Sequence, residues 1–197
     1  MSATTHGEFR EAVGRLHREK DAAYGHAWKK RGEVVSILAN IARKIDRLEY
    51  VLAGAQTTRD ETLLDTAVDL FVYTLKYQTY LADLDPELAG RLFGKSAVRQ
   101  VYSDGPGGFE YVLSRLELPA FDDQRMTLTE AAARVITCFG DLEASFSGVN
   151  ASHPVVVRHR AVEALTHATM CLIGALSREV PALYRDFLVS WRAGDRD

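Results

Sequence analysis

The stretch ILANIARKIDRLEYVL, Ile37 to Leu52, decides the fold. Ile37, Ile41, Ile45, Leu48 and Leu52 recur every three or four residues, the period of a helix that turns one apolar stripe into a bundle. Extended back to Glu33, this predicts a helix over about 33–52, with Gly54 placed to cap its C-terminus. After the polar turn AQTTRDE a further helix is expected over about 60–82, with Leu64, Val68, Phe71 and Leu75 as its stripe and Pro86 closing the unit.

Outward from this hairpin the same period continues. Toward the N-terminus, Phe9, Val13 and Leu16 mark a helix from Glu8 to about Tyr24, and YGHAWKKRGE interrupts the pattern at Gly25 and Gly32. A short helix over about 86–92 follows the hairpin. SDGPGGFEY is a Gly/Pro cluster that reads as a turn or loop, and it lacks the Lys-Ser/Thr ending of a P-loop, so plain linker is the preferred reading. Thr127 has Glu130 three residues later, the capping-box spacing. Helices over about 128–147 and 155–178 and a short one from Pro181 to about Trp191 complete the chain. No stretch reads as a strand, so the expected class is all-α. The expected division is a first half over 1–95, a linker with the Gly/Pro loop over 96–126, and a second half over 127–197.

The two halves resemble each other in outline. Aligning Gly54 with Gly148 places Leu48-Glu49 on Leu142-Glu143, and Pro86 falls one residue short of Pro181. Asp65, Asp69 and Tyr73 then meet His159, Glu163 and His167, so the second hairpin is read as a degenerate, structural repeat packed on the first. Those histidines share a helix face, but the H-E-x-x-H metalloprotease motif is not present.

Composition narrows the function classes. The 197 residues carry a formal net charge of −3, which argues against a general nucleic-acid coat and against direct duplex binding. No run of about 18 uncharged apolar residues exists to span a membrane, and the first twenty residues have no signal-peptide core. Cys138 and Cys171 lie in apolar helical stretches and read as free thiols of a reducing cytosol, so the expected location is cytoplasmic.

Chemistry concentrates in the first hairpin. Asp46 and Glu49 lie three apart, and Asp65 and Asp69 lie four apart, so each pair shares a helix face. Four carboxylates brought together repel one another unless a hard cation such as Mg²⁺ binds them through oxygen. A solvated helix edge is the competing explanation. Lys29, Lys30 and Arg31, then Arg43, Lys44 and Arg47, bracket the acids and could neutralise a polyphosphate. Tyr24 and Trp28 could form a wall for a stacked base, or an ordinary core pair.

Tyr24-Gly25-x-x-Trp28, Lys44-x-x-Arg47 and Asp69-x-x-x-Tyr73 together resemble the nucleotide-modification-associated domain family of phages and bacteria. The order D-x-x-E followed by D-x-x-x-D is similar to that of the MazG-like all-α nucleoside triphosphate pyrophosphatases. The resemblance covers about residues 19–82. Asp46 stands where those enzymes carry their first Glu, and Thr66 stands where they carry the Glu of the second pair. The resemblance implies a MazG-like helical bundle, built as a homo-oligomer such as a dimer, that cleaves a nucleotide to its monophosphate and pyrophosphate. It implies Asp46, Glu49, Asp65 and Asp69 as ligands of Mg²⁺ (or Mn²⁺), with Glu49 also activating water and Glu33 in reserve. Tyr24, Trp28, Lys44, Arg47, Tyr73 and Lys76 would contact the substrate. The rival expectation is a non-catalytic helical interaction module that keeps only the fold.

Overall fold

The apolar stripes pair into a ring. In the computed structural model, which describes residues 3–53, 62–94, 101–117, 126–146 and 154–191, the described chain is helical and holds no strand. The order is α1 (Ala3–Tyr24), a 3₁₀ turn (Gly25–Trp28), a π-helical segment (Glu33–Leu38) and α2 (Ala39–Leu52). Then come α3 (Leu63–Leu84), α4 (Pro86–Phe93), α5 (Pro106–Arg115), α6 (Leu128–Ala144), α7 (Val155–Glu179) and α8 (Pro181–Ser190). Helix α2 packs on α3, α3 on α7, α7 on α6 and α6 back on α2, a closed four-helix core to which each half of the chain gives two helices.

The expected stripes face that core. Ile37, Ile41, Ile45 and Leu48 are buried, as are Leu64, Val68, Phe71 and Leu75 of α3 and Val162, Leu165, Thr169, Leu172 and Leu176 of α7, whereas Leu52, expected in the same stripe, is exposed at the end of α2. Burying such a side chain stabilises by about 1.5–3 kcal/mol each. Helix α3 is buried on more than its stripe, because Thr74, Tyr77 and Gln78 are covered too. Gln78 Nε2 donates to Thr166 Oγ1 at 2.9 Å across the α3–α7 contact, and that hydroxyl in turn donates to the Val162 carbonyl at 2.7 Å. Helices α1 and α8 close over one side through Phe9, which packs on Phe71 and stacks on Tyr184.

Both halves run hairpin, proline, short helix: Pro86 opens α4 and Pro181 opens α8. Capping boxes start α3 (Thr62 with Asp65) and α6 (Thr127 with Glu130). Helix α3 therefore begins later than the expected residue 60. Gly54, Gly148 and the AQTTRDE turn lie outside the described residues.

Two expectations are corrected. The Gly/Pro stretch is not plain linker, because Pro106 sits in the first turn of α5 behind Gly105, which takes φ 67°. Helix α5 buries Phe109, Val112 and Leu113 and packs on α1 and α3. Gly108 allows this close approach, since a Cβ there would lie 2.0 Å from the Tyr102 carbonyl oxygen. The second correction concerns residues 33–38, where the helix is π-wound rather than regular. Gly32, at φ 83°, precedes it, and the Arg31 amide donates to the Ser36 hydroxyl at 2.9 Å.

No helix among the described residues is long and apolar enough to cross a membrane. Cys138 and Cys171 are free thiols.

Candidate functional site

Three helices point the same register at one cleft. Helix α1 supplies His17, Lys20 and Tyr24; α2 supplies Asn40, Arg43, Lys44 and Arg47; α3 supplies Asp69, Val72, Tyr73 and Lys76. Each set follows the i, i+3, i+4, i+7 spacing of one helix face, or part of it. The 3₁₀ turn adds Gly25, Ala27 and Trp28, and the whole encloses about 670 Å³. Gly25 at φ 49° lets the chain turn there and carry Trp28 back over α3. Among the described residues, five cationic side chains and one carboxylate line this cleft.

The carboxylate is Asp69. Lys20 Nζ lies 2.5 Å from its Oδ1 and Lys44 Nζ 2.8 Å from its Oδ2, so one acid ties α1 and α2 to α3. Burial alone would raise the Asp69 pKa, but the two ammonium groups outweigh it and hold the carboxyl below its usual range. Tyr73, half-buried beside it, has its phenol pushed up by burial and by the Asp69 charge.

Lys76 stands deeper. Its ammonium sits 4.6 Å over the Trp28 ring and 4.0 Å from Asp21 Oδ1. Burial, with Lys20 and Lys29 adding repulsion, brings its pKa down to about 8 despite Asp21. His17 stacks flat on Phe109, with ring centroids 3.8 Å apart. Burial first, then Lys76 and Arg18, push its pKa down to about 3, so it is a neutral imidazole. Trp28 is buried and meets Tyr80 edge-on, whereas Tyr24 is open at the rim.

A second cavity of about 510 Å³ adjoins the first and shares Ala27, Asn40 and Arg43 with it. Asn40 Nδ2 donates to the Ser36 carbonyl at 2.7 Å, and the Arg43 guanidinium donates to Asn40 Oδ1, which holds Arg43 between the two cavities. Lys29, by contrast, turns away and binds Ser103 and Asp104.

The structure thus brings Tyr24, Trp28, Lys44, Arg47, Asp69, Tyr73 and Lys76 together, but not the four carboxylates. Asp65 closes the capping box, accepting from the Thr62 amide at 2.8 Å and the Thr62 hydroxyl at 2.7 Å. Asp46 and Glu49 are exposed on α2 and do not line the cleft. Among the described residues, no three His, Cys, Asp or Glu side chains converge as a metal site would require. The four acids expected to hold Mg²⁺ are therefore not brought together in this arrangement, and the partners of Asp69 are Lys20 and Lys44.

Glu33, the reserve acid, belongs elsewhere. It accepts from the Tyr77 hydroxyl and pairs in charge with Arg158, whose Nε lies 2.9 Å from Oε1, joining the π segment, α3 and α7 in a nearly buried cluster. In the second half, His159 is buried with its pKa lowered by desolvation, and His167 Nδ1 lies 3.9 Å from Cys171 Sγ.

Sequence reasoning overlooked His17 and Lys20. The signal was present: positions 17, 20, 21 and 24 repeat the spacing of 40, 43, 44, 47 and of 69, 72, 73, 76.

No family model and no solved structure matches the chain. It is similar to the Gene 30 protein of Bacillus phage SP01, at 28% identity over 107 residues. The match covers 43% of this chain and 48% of that protein, so it spans about half of that relative's length.

Proposed function

We propose that the protein binds a nucleotide in the cleft between α1, α2 and α3, with phosphates on the cationic side and the base against Trp28 and Tyr24. The observation that carries this reading is the lining: five Lys and Arg side chains and three aromatic rings around about 670 Å³. That volume suits a small ligand. Cations that outnumber the carboxylates around a cleft attract an anion, and the rings of its wall and rim suit a heterocycle.

The resemblance to the all-α pyrophosphatases adds a narrower proposal, cleavage of a nucleoside triphosphate to monophosphate and pyrophosphate. That chemistry rests on Asp69 standing in the cleft, and its Mg²⁺ would have to draw Asp46 and Glu49 in from the surface. The wider reading needs no metal. It belongs with a cytoplasmic protein, where nucleotides are made, and with a homodimer as its assembly.

Trp28 supplies the test. In a Trp191→Phe background, thymidine triphosphate should change Trp28 emission saturably in EDTA as well as in Mg²⁺. A flat titration in both buffers would sink nucleotide binding and favour an interaction module. Pyrophosphate release, lost in Asp69→Asn, would establish the narrower proposal.

A further inference from the structure

We infer that the second cavity is a subsite for another nucleoside joined through phosphate, so that the ligand is a dinucleotide unit or the end of a single strand. This rests on the nucleotide reading of the cleft and extends it. The two cavities are contiguous, since Ala27, Asn40 and Arg43 line both. Arg43 is fixed at their junction by the Ser36–Asn40–Arg43 chain of hydrogen bonds, where a phosphate shared by two nucleosides would lie.

Beyond Arg43 the character of the lining changes. Lys30 and Arg31 are cationic, but Val35, Ala27 and Ala39 provide apolar surface, and Val35 is 63% exposed. A bare triphosphate tail would leave that apolar floor uncovered and would not fill about 510 Å³. A sugar and base would cover it while their phosphate met the arginines. Alternation of cations with apolar or aromatic platforms is how single strands are held without sequence readout. The π-wound segment gives Val35 and Ser36 to this groove, and Ala39, the first residue of α2, continues its floor.

Calorimetric titration at one salt concentration, with pT, thymidine triphosphate and pTpT as probes, tests this. The dinucleotide should bind about tenfold more tightly than pT, one well-made charge-assisted contact being worth roughly that factor. Lys30→Ala combined with Arg31→Ala should remove this gain and leave pT binding unchanged, which also shows that the variant is folded. Equal affinity for pT and pTpT overturns the subsite, as does a double variant that keeps the gain. An equal gain with the triphosphate that the double variant also removes overturns it too, because the groove would then hold a phosphate tail. If pT itself fails to bind, the nucleotide reading falls with it; if pT binds and only the gain is missing, that reading stands.

Discussion

Helix α3 carries two polar clusters that differ in how their charges close. On one side Tyr77 joins Glu33 and Arg158, one acid and one base, sealed between the π segment and α7. On the other, Asp69 meets Lys20 and Lys44 at the wall of a cleft that also holds Arg43, Arg47 and Lys76. The first cluster is balanced and nearly buried; the second is basic and open. A balanced buried pair fixes how helices meet, whereas an excess of one sign around a cavity is costly in the free protein and is relieved by a ligand of the opposite sign.

Breaking the sealed cluster should have the largest effect. Arg158→Met leaves the Glu33 carboxylate buried without its partner and should cost about 3–5 kcal/mol, read by urea unfolding. Nucleotide affinity should survive in the folded fraction. A loss of affinity without a loss of stability would show that the two clusters had been assigned the wrong way round.

The open cluster should respond in the opposite sense. Lys44→Ala should weaken nucleotide binding by about tenfold or more, the scale of one charged hydrogen bond. The loss should shrink as salt is raised. Stability should change far less than in Arg158→Met.

A smaller effect is a pH dependence specific to Lys76. Its charge is held below about pH 8 and lost above it. Nucleotide affinity should fall as pH rises through 8, and Lys76→Arg, which stays charged, should flatten that fall. Stability runs the other way. The unfolded lysine keeps its proton up to about 10.5, so this group adds stability to the free protein as pH climbs from 8 toward 10.5. His17 acts in a separate window: unfolded it takes up a proton near pH 6.5, folded not until about 3. Its contribution is therefore intact above 6.5 and is lost as pH falls through that interval, and His17→Phe should blunt the acid transition.

The smallest effect separates binding from hydrolysis. Asp46→Asn with Glu49→Gln touches exposed side chains, so stability should move within about 0.5 kcal/mol. Binding in EDTA should be unaltered. Metal-dependent pyrophosphate release that disappears in this variant would show that the surface acids do join Asp69 during turnover.

Much of the fold was legible because α2, α3 and α7 repeat apolar residues at the helical period, and burial follows that period whatever the neighbours are. Helix α5 was hidden. Gly107 and Gly108 break the visible pattern, and only the contact with the Tyr102 backbone explains why a glycine belongs inside a helix there. The π segment was hidden for another reason, since Val34 and Val35 look like ordinary helix residues and the widened turn depends on Gly32 and Ser36. In the site, the substrate-side residues were legible from shared faces on α2 and α3. The fate of the acids was not. Which way α2 rotates against α3 decides whether Asp69 meets carboxylates or lysines, and Lys20 comes from a helix 49 residues earlier.

The Gln78–Thr166 hydrogen bond has a consequence for how the chain assembles. It joins residues 88 apart, one from each half, within the contact that the Tyr77–Glu33–Arg158 cluster also spans. Sliding α7 along α3 by one turn would leave the Gln78 amide buried without its acceptor, at a cost of about 1–3 kcal/mol, while Thr166 keeps its bond to the Val162 carbonyl. Shifted pairings of two long apolar faces differ little in hydrophobic gain, so this pair, with the Tyr77–Glu33–Arg158 cluster, works as an alignment key. It discriminates among near-equal dockings as the second half closes onto the first. Replacing both residues by apolar ones of similar size should leave a stable protein whose helices settle less sharply on one alignment, seen as broadened methyl resonances along α3 and α7.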